Sequence, residues 1–323
     1  MKKLILKSIL YIFLILLFVE VTIRILHLYT EDPPRFIDDF GVEKRVPGHT
    51  GYSVTGNRNQ NYSKFSINKS GFNSYREFTP TASKFEIALV GDSFIEGFHQ
   101  DFDTSTGKKI EEQLPNKEVY EYGYAGYDFS NQIHLINAYK KDFDLIDEIV
   151  VYLNYEYDLD RGTYEPDYDR IKMLSSTTFK IRDNIKILAY GSKIGILEPL
   201  KRLVSGKPIE DEEQDFKNID EKTSDEAEQR TIDLQRIENF KSLIGLFGFD
   251  KTKTALLLDS RKTSQLFLDY CDQNNIDIID FGENFKNSKK PPTLIYDEHW
   301  NNHGRDLIAL SISNYVKTKR HLN

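Results

Sequence analysis

Short apolar runs alternate with amphipathic stretches along most of the chain from residue 85 to residue 320. The compact runs predict buried strands, at Ile87–Val90, Val119–Tyr122, Ile149–Leu153, Ala255–Leu258 and Ile276–Ile279. The stretches between and after them predict helices, at Lys108–Leu114, Ser130–Lys141, Leu234–Phe247, Arg261–Asn274 and Leu307–Val316. Parallel sheets covered by helices on both faces give this alternation of buried strands and helices. The pattern therefore predicts an α/β domain built on a doubly wound parallel sheet.

Residues 1–30 form a separate N-terminal segment. Ile9–Val19 is an unbroken apolar run behind three lysines, and a helix extended to about Leu26 has the roughly twenty residues that a bilayer requires. Lysines before a span favour the cytoplasmic side, so the rest of the chain is expected outside. Glu20 and Arg24 are four residues apart and can pair on one helix face.

The absence of a small-x-small site after the apolar run favours an uncleaved anchor over a cleaved signal peptide. A buried helix of a soluble protein is disfavoured by the clustered lysines. The prediction is a single-pass protein of a bacterial-type inner membrane, with its main domain extracytoplasmic.

Two other segments depart from the alternation. Residues 31–84 are rich in Pro, Gly, Asn and Tyr, which predicts a lead-in of loops and short strands. From about residue 160 to residue 231 the alternation stops, which predicts an insertion in the domain that spans residues 85–320. Glu210–Arg230 within it holds ten acidic residues against three basic ones, a composition typical of a solvated or mobile stretch.

Charge and cysteine content narrow the classes of function. The net charge is −8 although residues 1–30 carry +3, so the rest of the chain is acidic and nucleic acid is not an expected partner. Cys271 is the only cysteine, which excludes an intramolecular disulfide and a cysteine-rich metal cage. No cofactor and no resident metal are predicted.

Candidate catalytic residues follow predicted strands, where open parallel sheets place their ligand sites. Gly91-Asp92-Ser93 comes directly after the first strand, and Asp297 and His299 lie between the last strand and the last helix. A serine becomes a nucleophile when an imidazole takes its proton and a carboxylate orients that imidazole. Alone, Ser93 would be a helix N-cap, since serine favours that position.

Histidine spacing offers a rival chemistry. His299 and His303 are four residues apart, and with Asp297 they could ligate a metal if a helix carried both. No acidic residue separates the two histidines as in a zinc protease helix, and a loop is expected before Gly304, so the serine chemistry is preferred. His303, His99 and His134 are interpreted as rim or structural residues.

The chain resembles the SGNH, or GDSL-type, hydrolase family over roughly residues 67–316. The motifs that carry the resemblance are Gly91-Asp92-Ser93, a glycine after the second strand and Asp297-Glu298-His299-Trp300-Asn301. Asn68, Gly71 and Phe72 resemble a lead-in found in its membrane-anchored, extracytoplasmic members.

The resemblance implies a flavodoxin-like three-layer fold and a catalytic triad of Ser93, Asp297 and His299. It also implies an oxyanion hole made by the backbone N–H groups of Ser93 and Gly126 with an asparagine side chain after the third strand.

Two positions depart from the family pattern. Alignment on Asp158 places Tyr157 where the asparagine belongs, and Asn154 is the candidate substitute. A single residue, Glu298, separates Asp297 from His299, where many relatives have two. The shorter spacing resembles the extracytoplasmic subgroup.

The expected activity is a serine esterase that removes acyl groups, O-acetyl above all, from envelope glycans. An O-acyltransferase would use the same triad, and a non-catalytic glycan-binding or envelope-assembly protein could retain the fold. A cluster of aromatic residues at predicted strand ends would pack the sheet edge or hold a sugar ring; its members are Trp300, Tyr124, Tyr127, Tyr155 and Tyr157.

Overall fold

The computed structural model describes residues 1–56, 61–196 and 226–320, with the side chains of Lys193 and Glu226 outside the description. The chain divides into two compact units. The described part of the first comprises residues 1–31 and 169–196, and that of the second comprises residues 32–56, 61–168 and 226–320.

The helices and strands of the described ranges are numbered here in chain order. The strands are β1 (Arg35–Ile37), β2 (Glu43–Arg45), β3 (Thr50–Thr55), β4 (Asn61–Ser66), β5 (Phe85–Gly91), β6 (Lys117–Gly123), β7 (Glu148–Tyr152), β8 (Thr254–Leu258) and β9 (Asp277–Asp280). The helices are α1 (Lys2–Ile25), α2 (Ser93–Glu96), α3 (Thr106–Gln113), α4 (Phe129–Ala138), α5 (Lys140–Phe143), α6 (Tyr168–Leu174), α7 (Thr177–Asn184), α8 (Lys186–Lys193), α9 (Glu226–Phe247), α10 (Gln265–Gln273), α11 (Gly282–Lys286) and α12 (Asn302–Lys319).

The first unit contains the long apolar helix α1. Within the described ranges this is the one helix long and apolar enough to cross a membrane, and an N-terminal signal sequence would meet the same criteria. Glu20 pairs with Arg24, as the sequence predicts. The Glu20 carboxylate also accepts hydrogen bonds from the backbone N–H groups of Lys186 and Ile187, at 3.0 and 2.8 Å. These N–H groups are in the first turn of α8, where a helix has no carbonyl of its own to accept them.

The second unit is built on a five-stranded parallel sheet of order β6-β5-β7-β8-β9. All five strands are parallel to their neighbours, and the central ones are buried on both faces, which explains why they read as continuous apolar runs. From β5 the chain adds β6 on one side of the sheet and then β7, β8 and β9 on the other, so the direction in which strands are added reverses between β5 and β7. In open sheets of this flavodoxin-like order, ligands bind at the carboxyl ends of the strands flanking that switch point.

Helices cover both faces of the sheet and so complete three layers. On one face, side chains of β5 and β7 such as Val90 and Val151 pack with Phe129 of α4, Phe240 of α9 and Phe267 of α10. On the other face, α3, α11 and α12 pack against alternate residues of the same strands. The predicted fold class, an α/β doubly wound parallel sheet, is confirmed.

Residues 31–84 contain short strands, as predicted. β1 pairs with β2 and β3 pairs with β4, both antiparallel. Asn68 accepts the Phe72 N–H through its side chain and closes the turn after β4. Gly71 in that turn has φ +89°, and a Cβ there would lie 2.8 Å from the Arg45 carbonyl oxygen, so only glycine fits.

Several predicted helices have other bounds in the structure, and two of these differences have a local explanation or pattern. The helix predicted from Ser130 to Lys141 is two helices, α4 and α5, that meet at Tyr139. The helix predicted from Arg261 begins at Gln265, because the Ser264 hydroxyl caps it by accepting the Leu266 N–H. Of the acidic stretch Glu210–Arg230, residues 210–225 lie outside the described residues and residues 226–230 begin α9.

Candidate active site

Ser93 is the first residue of α2, directly beyond the carboxyl end of β5. The Asp92 carboxylate caps this helix by accepting the Phe94 N–H at 2.8 Å. A Cβ on Gly91 would lie 2.4 Å from the Cγ1 of Ile95, so glycine is required for the chain to turn this sharply from strand to helix. The short connection therefore keeps Ser93 at the edge of the sheet.

His299 and Asp297 lie in the loop before α12. The loop is held by a backbone hydrogen bond from Leu294 N–H to the His299 carbonyl. The Asn301 side chain caps α12 by accepting the Gly304 N–H at 2.9 Å. Asp297 Oδ1 accepts the backbone N–H of His299 at 2.8 Å, which fixes the carboxylate beside the ring.

The structure brings these three side chains together. Ser93 Oγ lies 2.8 Å from His299 Nε2, and His299 Nδ1 lies 3.3 Å from Asp297 Oδ1. Burial alone would raise the pKa of Asp297, but the hydrogen bond and charge of His299 outweigh it and lower that pKa. The carboxylate is thus held in its charged form next to the imidazole. The serine, imidazole and carboxylate follow one another in the order that nucleophile activation requires.

His99 is a fourth member of this group. Its ring stacks on that of His299, with 4.0 Å between centroids, and its Nε2 lies 3.5 Å from Asp297 Oδ2. Burial, followed by the charge of His299, lowers the pKa of His99 to about 3. The sequence interpretation of His99 as a structural residue did not place it in this group, and the structure puts it against the predicted base and its carboxylate. No sequence signal marks it, since the contact joins residues that are 198 or more positions apart.

Aromatic packing fixes the face of His299 opposite His99. The Phe94 ring stacks on His299 at 4.5 Å, and Trp300 packs edge-on against Phe94 and Tyr152. Trp300 is 2% exposed. The imidazole is therefore held between two rings, in a position where its Nε2 points at Ser93.

A tight turn after β6 carries the predicted oxyanion donor Gly126. The Tyr127 N–H bonds to the Tyr124 carbonyl across the turn, and Gly126 has φ +96°. Within the described ranges, the backbone N–H groups of Gly126 and Ser93 have no hydrogen-bond acceptor. Both donors are thus available to a substrate oxygen.

Asn154 and Tyr157, the competing residues after β7, differ in their surroundings. The Asn154 Oδ1 accepts the Glu156 N–H at 3.3 Å, and no acceptor in the described part of the chain binds its Nδ2. Tyr157 is 56% exposed. Asp158 is buried and accepts the Asn154 N–H at 2.8 Å; burial, with the nearby Asp92, raises the pKa of its carboxyl well above the usual range. Asp158 therefore fixes Asn154 at the carboxyl end of the strand beside β5.

A buried ion pair joins the lead-in to this edge of the sheet. Arg45 Nε lies 2.8 Å from Glu96 Oε1, and both side chains are 1% exposed. Glu96 Oε2 accepts the Ala125 N–H at 3.0 Å, next to Gly126. The Asn73 side chain donates to the Glu96 carbonyl at 2.8 Å. Glu96, three residues after Ser93, thus connects the serine helix, the Gly126 turn and the lead-in.

Several singled-out residues lie elsewhere. His303 is in the first turn of α12, so the loop expected to reach Gly304 ends at Asn301; its Nε2 bonds to Ser288 Oγ at 2.7 Å. His134 bonds to the Phe40 carbonyl and stacks on Tyr164, which agrees with a structural role. Of the five aromatic residues at strand ends, four are buried and pack the sheet edge; these are Trp300, Tyr124, Tyr127 and Tyr155.

No family model matches the chain, and no curated protein matches it. Solved structures of similar fold include a lipase/acylhydrolase from Enterococcus faecalis, with 12% identity, 73% of this chain and 96% of that one covered, and a TM-score of 0.41. A member of the lipolytic protein G-D-S-L family from Veillonella parvula DSM 2008 has 13% identity, coverage of 71% and 97%, and a TM-score of 0.36. The lipase Lip_vut3 from a goat rumen metagenome has 14% identity, coverage of 71% and 96%, and a TM-score of 0.39. Similarity this distant says nothing about the activity of this chain. The activity is therefore argued from the geometry of the site alone.

We predict that Arg45→Met lowers the free energy of unfolding by about 3 kcal/mol or more, because it leaves the Glu96 carboxylate buried without its cation. Adding Glu96→Gln removes the stranded charge and keeps an acceptor for the Ala125 N–H, so the double variant should be more stable than Arg45→Met alone. Thermal unfolding of the three proteins gives the comparison. A double variant that unfolds at a still lower temperature would contradict the pairing.

Proposed function

We propose that the chain is a serine esterase of the SGNH type, with Ser93 as nucleophile, His299 as general base and Asp297 as the carboxylate that orients it. The observation that carries the proposal is the 2.8 Å approach of Ser93 Oγ to His299 Nε2 with Asp297 beside the other ring nitrogen. The N–H groups of Ser93 and Gly126, which have no acceptor among the described residues, support it, because acyl transfer needs donors for a developing oxyanion.

In the proposed reaction, Ser93 Oγ attacks the carbonyl carbon of an ester while its proton passes to His299 Nε2. Asp297 stabilises the imidazolium that forms. The Ser93 and Gly126 N–H groups and the Asn154 amide donate to the carbonyl oxygen as it becomes negative. When the tetrahedral intermediate collapses, the alcohol leaves with the proton from His299 and the acyl group remains on Ser93. Water, deprotonated by His299, then releases the carboxylic acid and restores the serine.

The proposed substrates are acyl esters of envelope glycans, with O-acetyl groups first among them. This part of the proposal rests on α1, whose apolar side chains are exposed. The three lysines in its first two turns favour a cytoplasmic N-terminus. An uncleaved anchor of that orientation keeps the esterase at the outer face of the membrane, where acylated polysaccharide is one class of ester within reach. Water and a sugar hydroxyl are both acceptors that an acyl-serine can use.

A fluorophosphonate probe tests the nucleophile. We expect it to label the full chain in detergent, and labelling should disappear in Ser93→Ala and His299→Ala because the first lacks the nucleophile and the second its base. Ser83→Ala, a change at an exposed serine ten residues earlier, is the matched control and should label normally. An unlabelled wild-type protein that is otherwise folded would favour the non-catalytic glycan-binding alternative.

Asn154 and Tyr157 can be separated by their effects on rate. Asn154→Ala should lower kcat for p-nitrophenyl acetate by about 10²-fold or more, the usual effect of removing one oxyanion donor. Tyr157→Phe should leave kcat close to that of wild type, since the Tyr157 side chain is largely exposed. The reverse ranking of the two variants would assign the donor role to Tyr157 and contradict the proposed site.

Product analysis tests the substrate class. The full chain incubated with O-acetylated polysaccharide should release free acetate, and Ser93→Ala should release none. Acetyl groups found on a second, initially unacetylated glycan would instead identify an O-acyltransferase that uses the same triad. Absence of either product, with esterase activity on small esters intact, would contradict glycan esters as the substrate.

A further inference from the structure

We propose that His99, Asp297 and His299 form a binding site for a divalent transition-metal ion of the Zn²⁺ type, and that the bound ion inhibits the esterase. The binding site follows from the geometry of the three side chains. The inhibition rests in addition on the proposed function, in which His299 accepts the Ser93 proton.

Among the described residues these three side chains each offer one ligand atom, and the three atoms lie within 4.8 Å of one another. Asp297 lies between the two rings, with Oδ1 3.3 Å from His299 Nδ1 and Oδ2 3.5 Å from His99 Nε2. Two ligand atoms bound to one tetrahedral Zn²⁺ are separated by roughly 3.3 Å, since each lies about 2 Å from the ion. The two distances run to different oxygens of the carboxylate, and each is close to that separation.

Closing the third side of the site needs a small movement. The two imidazoles are stacked with 25° between their planes, so they must tilt toward each other at the edge that faces Asp297. His99 is part of the loop after α2, whereas His299 is held against Phe94. The movement is therefore expected mainly in His99.

Unmet hydrogen-bonding capacity supports a ligand at this point. His299 is 4% exposed, and its Nδ1, the proposed ligand atom, lies 3.3 Å from Asp297 Oδ1 without making an aligned hydrogen bond to any described residue. Buried polar atoms are rarely left unpaired. The set of two imidazoles and one carboxylate suits zinc and neighbouring transition metals, whereas magnesium and calcium prefer oxygen ligands alone. The His99 and Asp297 side chains are each 11% exposed, which leaves a route for an ion from solvent.

A metal ion at this site would stop His299 from acting as a base, because it would fix which ring nitrogen carries the proton. A neutral imidazole carries one proton, so an ion on His299 Nδ1 leaves that proton on Nε2, the atom 2.8 Å from Ser93 Oγ. Nε2 is then a donor and cannot accept the serine proton. Zinc would therefore stop acylation without contacting Ser93.

Zinc binding is tested first, without reference to activity. The full chain in detergent is titrated with ZnSO₄ against a chromogenic zinc chelator, as wild type and as Ser93→Ala. We expect one ion per chain in both. His99→Phe keeps a ring against His299 but has no ligand atom, and should weaken binding at least tenfold. His99→Gln is used in its place if the phenylalanine variant does not fold.

His303→Ala is the matched control, because His303 is four residues from His299 and bonds to Ser288 outside the group. It should bind zinc as wild type does. No binding by wild type, unchanged affinity in the His99 variant, or loss of binding in His303→Ala would each overturn the site.

Inhibition is tested second, with p-nitrophenyl acetate. Zinc should inhibit wild type and His303→Ala at concentrations that follow the measured affinity, and a chelator should restore the rate. The His99 variant, compared with its own zinc-free rate, should need at least tenfold more zinc. Stoichiometric zinc binding without inhibition of an active esterase would overturn the inhibitory role alone. Zinc binding by a protein with no esterase activity would overturn the proposed function and leave the site standing.

Discussion

The buried ion pair between Arg45 and Glu96 is the constraint on which the geometry of the site depends. Burying two charges is costly unless each finds its partner and its hydrogen bonds. Here both oxygens of Glu96 accept from Arg45, and Oε2 also accepts the Ala125 N–H. The pair joins β2 of the lead-in to the serine helix α2, and the Ala125 N–H attaches the Gly126 turn to it. The lead-in is thereby part of the sheet edge that carries the candidate site and not a spacer before it.

Much of the fold could be predicted because the sheet is buried on both faces. Strands such as Phe85–Gly91 and Thr254–Leu258 read as compact apolar runs, and the helices between them have a clear apolar face. Open parallel sheets place their ligand sites at the carboxyl ends of the strands, which is why Ser93, Asp297 and His299 could be predicted as site residues. Their proximity is confirmed by distances, whereas their catalytic roles stay predictions, as do the domain boundaries at residues 30, 84 and 160–231.

Tertiary contacts explain what the sequence did not reveal. Arg45 and Glu96 look like surface charges in sequence, and only the fold shows that they are buried together. His99 lies in a polar loop, and its approach to His299 is set by how two distant loops meet. The late start of α10 depends on a local cap at Ser264, which periodicity does not resolve. The site residues that were missed therefore share one property, which is that their role comes from a partner far away in the chain.

The central claim is that Ser93 carries the acyl group during turnover. Rapid acid quenching of the full chain with p-nitrophenyl acetate, followed by proteolysis and mass spectrometry, locates any covalent acetyl group. The account predicts one acetyl group, on the peptide that contains Ser93, which forms before steady state and is lost as water resolves it. Acetyl on another residue, with Ser93 unmodified while p-nitrophenol is released, would contradict it.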